Sequence, residues 1–285
     1  MSAEIRPLAP GLYFVATPIG TARDITLRAL DILASADVIA AEDTRTARHL
    51  MEIHGIALGD RPVVAYHDHN GAAVRPRLLK ALADGKSVAY VSEAGTPMVA
   101  DPGFVLAREA IAAGHPVTSA PGPSAAITAL TLAGLPTDRF LFAGFAPNAG
   151  GARRAFLREL ADIPATLVLY ESPKRIHQSL KDMALELGAE RQAAICRELT
   201  KKFEEVIRAP LGELVDQLAD RTLKGEIVVV IDRNRQEASE DTMVEALKDA
   251  LLTLSVKDAA QAVSDALGLP RRKVYQTALE LEKKK

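Results

Sequence analysis

Over residues 11–120 the chain alternates short apolar, β-rich segments with helical patterns, and this alternation limits the fold more than any other feature. In order the segments read "LYFVAT", "TLRALDILAS", "DVIAAE", "RTARHLMEIH", "PVVAY", "AVRPRLLKALADG", "SVAYVS", "GFVLAREAIAAG" and "HPVTSA". Strands alternating with helices build a parallel sheet covered on both faces. Ligands of such sheets collect beyond the carboxyl ends of the strands. The loops at Thr17-Pro18-Ile19-Gly20 and at residues 42–45, 66–70 and 92–97 all follow strands, so they are expected on one rim.

One of these loops, "VSEAGTPMVADPG" at residues 91–103, ends a strand with two glycines and two prolines. Gly lacks a Cβ and Pro cannot extend a ladder, so the turn exposes bare peptide groups to a ligand. "APGPSAAITALTLAGLP" then reads as a linker and a helix with Pro123-Ser124 in its first turn. A second α/β unit follows with strands "RFLFAGF", "ATLVLYES", "QAAIC", "EEVIRA" and "EIVVVID". Its closing strands come with little helix between them, which predicts antiparallel pairing and a mixed sheet.

After the polar linker "RNRQEASED" come three helical patterns, with Ser255 and Asp258 spaced like a capping box. A helix, a Gly-containing turn and a helix opening on Arg271-Arg272-Lys273 form a helix-turn-helix pattern. A small helical appendage or dimer contact fits the same pattern. The fold class is therefore α/β, with a parallel-sheet domain over residues 1–120, a mixed-sheet domain over 121–235 and a helical tail over 240–285.

A chain of 285 residues exceeds one ordinary core, and 48% apolar with 25% charged residues are globular values. No apolar run reaches the eighteen or so residues of a membrane span, and "MSAEIRPLAP" lacks the regions of a signal peptide. Cys196 is the single cysteine, which excludes an internal disulfide and a multi-cysteine zinc site. These features predict a cytoplasmic protein. A net charge of -2 offers no global attraction for nucleic acid. RNA contacts would have to come from local patches: Arg153-Arg154, Lys174-Arg175, Lys201-Lys202, Arg271-Arg272-Lys273 and the tail 283–285. Each patch by itself also reads as solvated surface.

Neither a dinucleotide fingerprint nor a Walker loop is present. His67, Asp68 and His69 in "YHDHN" lack a third spaced ligand, so no metal site is predicted. "AEDTR", residues 41–45, places two carboxylates and an arginine at a strand end, where Asp43 or Thr44 can also cap the next helix. "YESPKR" at 170–175 and "RELTKKFEE" at 197–205 repeat the charged strand-end form in the second unit. Together with the glycine-proline turn they predict a polar cleft between two domains.

"TPIG", "DITLRALDIL", "AEDTR", "YHDHN", "VSEAGTP", "DPG", "PGPSA", "GLPTDRFLFAGF", "YESPKR", "RELTKKFEE" and "GEIVVVI" occur in this order over residues 11–232. In this the chain resembles the tetrapyrrole methylase superfamily, and more closely its RNA-directed branch, the small-subunit ribosomal RNA methyltransferases. The resemblance implies two α/β domains with S-adenosylmethionine between them, a homodimer, and methylation of a cytidine ribose 2'-hydroxyl in the decoding region of 16S rRNA. It implies cofactor contacts at Ala94, Gly95, Thr96 and Val99, at Ser124 and Ala125, and at Glu171, Leu199, Gly225 and Glu226, with Pro18 in the first loop of the rim. Glu93 stands where the family usually carries Asp, and Thr21-Ala22 depart from its usual pair.

A ribose hydroxyl must lose its proton to accept a methyl group, so a positioned carboxylate or histidine is needed. "AEDTR" is the expected source, with Asp43 or Glu42 as proton acceptor or orienter and Arg45 holding a phosphate. Two other functions fit the same fold: a methyltransferase of a small tetrapyrrole and a non-catalytic RNA-binding protein. Local basic patches and the helical tail favour RNA.

Overall fold

The computed structural model of the protein describes residues 3–67, 69–100, 102–234, 240–267 and 269–283. Contacts divide the chain into two compact units, Met1–Arg233 and Asn234–Lys285. The first unit holds two five-stranded sheets, called here the first and second lobes with the helices that cover them.

In the first lobe β1 (Gly11–Val15), β2 (Val38–Ala41), β3 (Val63–Ala65), β4 (Ser87–Val91) and β5 (Val117–Ala120) lie in the order β3-β2-β4-β1-β5. Every pairing is parallel, as the strand-helix alternation predicts. Successive side chains of a strand point to opposite faces. Val88 and Tyr90 accordingly pack with Leu12 and Phe14 under α3 (Gly71–Ala83) and α4 (Phe104–Ala112). Ala89 and Val91 pack with Val15 under α1 (Leu27–Ser35) and α2 (Thr44–Ile53). The central β2 and β4 are buried at every residue, which is why they read as continuous apolar runs.

The second lobe begins with α5 (Ala125–Ala133). It continues through β6 (Phe140–Phe145), α6 (Gly150–Ala161), β7 (Thr166–Glu171), α7 (Ile176–Leu187) and β8 (Gln192–Arg197) to β9 (Glu205–Pro210), α8 (Leu211–Leu218) and β10 (Ile227–Ile231). The order is β6-β7-β10-β8-β9, with β6 and β7 parallel and the remaining pairs antiparallel, so the sheet is mixed as expected. Two local expectations are corrected. A helix, α8, does separate the last two strands: β9 and β10 flank β8 on opposite sides and are both antiparallel to it, so the chain must cross over between them. The helix after the linker starts at Ala125, because Ser124 is extended (φ -145°, ψ 123°) and serves as its cap, accepting the Thr128 N–H at 2.9 Å.

Leu167, Leu169, Val229 and Ile195 face α6, α7 and α8, while Val168, Val228, Ala194 and Cys196 face α5. Ile19 of the first lobe belongs to this latter cluster, so the two lobes share apolar surface at the end of the cleft.

The second unit comprises α9 (Glu240–Ala250), α10 (Val256–Leu267) and α11 (Arg271–Lys283) around Met243, Leu247, Ala260, Val263, Val274 and Ala278. The Ser255 hydroxyl accepts the Asp258 N–H at 3.3 Å and donates to the Asp258 carboxylate at 2.7 Å, completing the predicted box with Asp in place of Glu. Residues 235–239 of the polar linker, Gly268 of the predicted Gly-containing turn and the last two lysines lie outside the described residues.

Candidate active site

The glycine-proline turn leaves β4 and is tied at once to two neighbouring strand ends. Thr17 and Gly95 exchange backbone hydrogen bonds at 2.9 and 3.0 Å, Ser92 Oγ donates to the Gly95 carbonyl at 2.7 Å, and Thr96 Oγ1 donates to the Pro123 carbonyl at 2.8 Å. Gly95 has φ +83°, and a Cβ there would sit 3.3 Å from Ile19. Met98 and Ala100 also have positive φ, 68° and 59°. Non-glycine residues in that region cost on the order of 1–2 kcal/mol each, so the surrounding bonds hold this loop in a strained shape. Asp101 lies outside the described residues.

The opposing wall comes from the second lobe. Glu171 at the end of β7 is fully buried, and its carboxylate accepts the Ser172 N–H at 2.7 Å and the Ser179 hydroxyl while pairing with Arg175 at 3.2 Å. After β8 the chain turns through Glu198 (φ 52°) and Thr200 (φ 62°). The Glu198 carboxylate accepts Lys201 Nζ at 2.9 Å and the Glu226 N–H at 3.1 Å, and Lys201 also reaches Glu226 at 2.7 Å. Lys201, with the Glu226 N–H, holds Glu198 below the usual carboxylate range against the opposing effect of burial. A Cβ on Gly225 (φ +87°) would lie 2.2 Å from that carboxylate, so a side chain there would displace Glu198 as well as strain the backbone.

Gly20 and Thr21 close the gap between the lobes. A Cβ on Gly20 would lie 2.5 Å from Thr200 Oγ1. The Thr21 N–H donates to Thr200 Oγ1 at 3.1 Å and the Thr21 hydroxyl donates to the Thr200 carbonyl. The departure at Thr21-Ala22 thus falls on an interlobe clasp.

Between these walls lies a cavity of about 390 Å³. Ala94, Gly95, Thr96, Val99, Ser124 and Ala125 line it from the first lobe and the linker, and Glu171, Leu199, Gly225 and Glu226 line it from the second. Pro18 is absent from the lining. Its neighbour Ile19 takes that place, 8% exposed, while Thr17 is pinned to Gly95. Sequence reasoning also missed Phe145, Tyr170 and Cys196 as lining residues. The signal for Phe145 and Tyr170 was an aromatic at the end of each of two neighbouring strands, and their rings meet edge to face at 5.5 Å. Burial pushes the Cys196 thiol up to about 11, so it is a packing group and no nucleophile at neutral pH.

"AEDTR" divides into two roles. Glu42 lines the cavity and accepts the Glu93 N–H at 3.4 Å; Glu93 lines it as well. Asp43 and Arg45 do not line it. Asp43 is the N-cap of α2, accepting the Arg45 N–H at 2.7 Å and the Thr46 N–H at 3.4 Å, and Arg45 grips the same carboxylate at 2.6 Å. Those contacts, Arg45 first, hold the Asp43 carboxyl far below the ordinary range, which makes it a weak base. The Arg45 side chain is 90% exposed.

Several predicted basic patches dissolve in the fold. Arg153 is buried in an ion pair with Asp182 at 2.6 Å, Arg154 and Arg158 face Glu186, and Arg175 turns inward to Glu171 and the Ala146 carbonyl. Lys202 lies 5.5 Å above the Phe203 ring. Lys174 and Arg271-Arg272-Lys273 stay exposed. His67 and His69 have rings 6.0 Å apart. Asp68 lies outside the described residues, among which no group of three or more His, Cys, Asp or Glu is placed to hold a metal.

Two α/β lobes clamped over a cleft, with a strained glycine turn on one wall and a glycine-carboxylate contact on the other, define a class of transferases. The chain belongs to the tetrapyrrole (corrin/porphyrin) methylases, whose family profile matches residues 11–215. A profile described as the RsmI C-terminal HTH domain matches residues 237–282. The chain is similar to proteins named ribosomal RNA small subunit methyltransferase I. That of Mesorhizobium japonicum is 48% identical over 97% of this chain and 94% of its own length, and that of Vibrio cholerae is 43% identical over 95% of each. Among solved structures, the methyltransferase CobJ superposes with TM-score 0.60 at 20% identity, over 79% of this chain and 95% of its own. Uroporphyrin-III C-methyltransferase from Thermus thermophilus, complexed with S-adenosylhomocysteine, gives TM-score 0.54 at 22% identity, over 77% and 96%.

Proposed function

We propose that the protein transfers a methyl group from S-adenosylmethionine to small-subunit ribosomal RNA, at the 2'-hydroxyl of a cytidine in the decoding region. The observation that carries this reading is the cleft, where the turn at residues 94–96 and the carboxylate of Glu42 face Gly225 across one cavity. Near-full-length similarity to the ribosomal RNA enzymes supports the acceptor.

The residues fit the cofactor. A cavity of about 390 Å³ falls in the range of small-ligand sites, roughly 300–1,000 Å³. Leu199, Ile227 and Val228 offer apolar surface to a purine, the 94–96 backbone offers peptide groups free of side-chain bulk at Gly95, and Glu42 and Glu93 offer negative charge to a cation. When bound, the cofactor supplies an electrophilic methyl carried on a sulfonium. The protein then has to hold acceptor and donor in line. The Thr21–Thr200 clasp fixes the spacing of the walls for that purpose, and the Thr17–Gly95 bridge holds the turn within the first wall. Glu42 takes the proton from the ribose hydroxyl, a contribution of about 10²–10⁴ in rate. Asp43 is a positioning residue: it caps α2 and holds Arg45, which meets a phosphate of the acceptor strand. The RNA acceptor places the protein in the cytoplasm, and among the described residues no helix is long and apolar enough to cross a membrane. The helical unit adds RNA contacts through Arg271-Arg272-Lys273, and the working form is a homodimer.

Labelled methyl transfer to small subunits from a strain lacking the gene, followed by nucleoside analysis, tests the reaction. 2'-O-methylcytidine is the expected product. Label absent from RNA while calorimetry shows cofactor binding would turn the assignment to a small acceptor or a binding role. Sedimentation at working concentration tests the dimer, which a monomeric mass would refute.

A further inference from the structure

A second cavity, of about 370 Å³, adjoins the first, and Pro173 lines both. Its walls are Lys174 on the turn before α7, His177 in the first turn of that helix, and Asp220, Arg221 and Thr222 in the loop between α8 and β10. Arg221 donates to both Glu205 oxygens at 2.8 and 2.9 Å, and Arg197 Nε donates to the same carboxylate at 3.2 Å. Arg197 also donates to the carbonyl of Lys224, which follows the lining residue Leu223. Two cations, Lys174 and Arg221, thus line the cavity with the carboxylate of Asp220, and Arg221 is already paired with Glu205. Lys174 is exposed, and among the described residues no carboxylate lies within ion-pair distance of it.

The geometry points to this cavity as the seat of a backbone phosphodiester of the acceptor strand, with Lys174 its contacting cation. The inference rests on the reading that the acceptor is RNA and extends it to where the strand goes after the reacting nucleotide. A polynucleotide, unlike a small acceptor, continues past the cleft and needs an anion site beside it. Of the other basic side chains in the second lobe's sequence patches, Arg153 is spent on Asp182, Arg175 on Glu171, and Lys201 on Glu198 and Glu226, while the exposed Lys202 lies over the Phe203 ring and does not line this cavity. A solvent-exposed lysine at a cavity wall is the kind of point charge that contacts phosphate without reading sequence.

The test uses the full chain, small subunits as substrate and the variants Lys174→Ala and Lys174→Glu. Lys86→Glu makes the same change of charge as Lys174→Glu just before β4, at the end of the first sheet away from the rim. The expected result for Lys174→Ala is a rise of roughly two- to tenfold in KM for subunits, with kcat at saturation and cofactor affinity by calorimetry near the parent values. The slope of log affinity against log salt should shrink by about 0.7, the share of one single-strand phosphate. Lys174→Glu should exceed Lys174→Ala, and Lys86→Glu should match the parent. Unchanged KM and slope in Lys174→Glu would overturn the inference, as would an equal effect from Lys86→Glu. A loss of cofactor affinity would reassign the cavity to the cofactor. If inorganic phosphate at matched ionic strength binds the parent but not Lys174→Glu while RNA binding is unaltered, the site serves a free anion and the proposal falls. Failure of the parent protein to methylate RNA breaks the underlying reading; parent turnover with indifferent Lys174 variants breaks this inference alone.

Discussion

The two lobes meet at one cavity but bring different things to it. On the second lobe every carboxylate at the cleft is held by a neighbour: Glu171 by Ser172, Ser179 and Arg175, and Glu198 and Glu226 by Lys201. On the first lobe the cleft carboxylates are Glu42, which accepts the Glu93 backbone N–H at 3.4 Å, and Glu93 itself, beside a loop bent into positive φ. A wall whose charges are neutralised internally is rigid and selects by shape. A wall with carboxylates at the mouth of a cleft can exchange a proton. Under the proposed function the second lobe shapes the cofactor site and Glu42 of the first lobe handles the proton.

Four measurements break or sharpen that contrast. The largest effect is expected on the first lobe, where Glu42→Gln should lower kcat by about 10²–10⁴ with little change in Tm or cofactor affinity. A variant that turns over normally would remove proton transfer from this wall. Next is Glu171→Ala on the second lobe. Removing the buried partner of Arg175 should destabilise by about 3–5 kcal/mol in denaturant titration, and a neutral result would mean the second wall is not held by this contact. Gly225→Ala comes third. Positive φ alone costs about 1–2 kcal/mol, and the displaced Glu198 should weaken cofactor binding at least as strongly; calorimetry showing parent affinity would place the cofactor elsewhere.

The smallest effect concerns acid stability. Glu198 titrates below its ordinary value because of Lys201. Its contribution is therefore complete above the unfolded value of about 4.3 and lost as pH falls through the lower folded value. Glu198→Gln should make stability less steep with pH in that acid window and leave the profile near neutrality unchanged. An acid limb identical to the parent's would show that the Lys201 pair adds nothing measurable.

Much of the architecture was legible because the hydrophobic period changes at each element boundary. "VAYV" carries no charge because β4 is buried on both faces, and Asp43 reads as a cap because a short side-chain acceptor before "TRTARHL" has few other local uses. The turn after β4 was legible for a related reason, since glycines and prolines at a strand end leave backbone open, whereas the rest of the lining followed from the family resemblance. Two site readings lacked direction. Pro18 sits in the right loop, but the residue that reaches the cavity is Ile19. Asp43 and Glu42 are adjacent in "AEDTR", and only the strand-to-helix turn sends one to the cavity and the other to the helix cap.

From sequence alone came the element order, the parallel first sheet, the mixed second sheet and the glycine-proline turn after β4, because each is written in neighbouring residues through period, propensity or turn chemistry. The tertiary structure decided which charges face the cleft, which basic residues are consumed by partners, and how the lobes are clasped. Those contacts join residues far apart in the chain, Arg153 with Asp182 across 29 positions and Thr21 with Thr200 across 179. Whether a charge is spent or available depends on a partner that no local pattern can see.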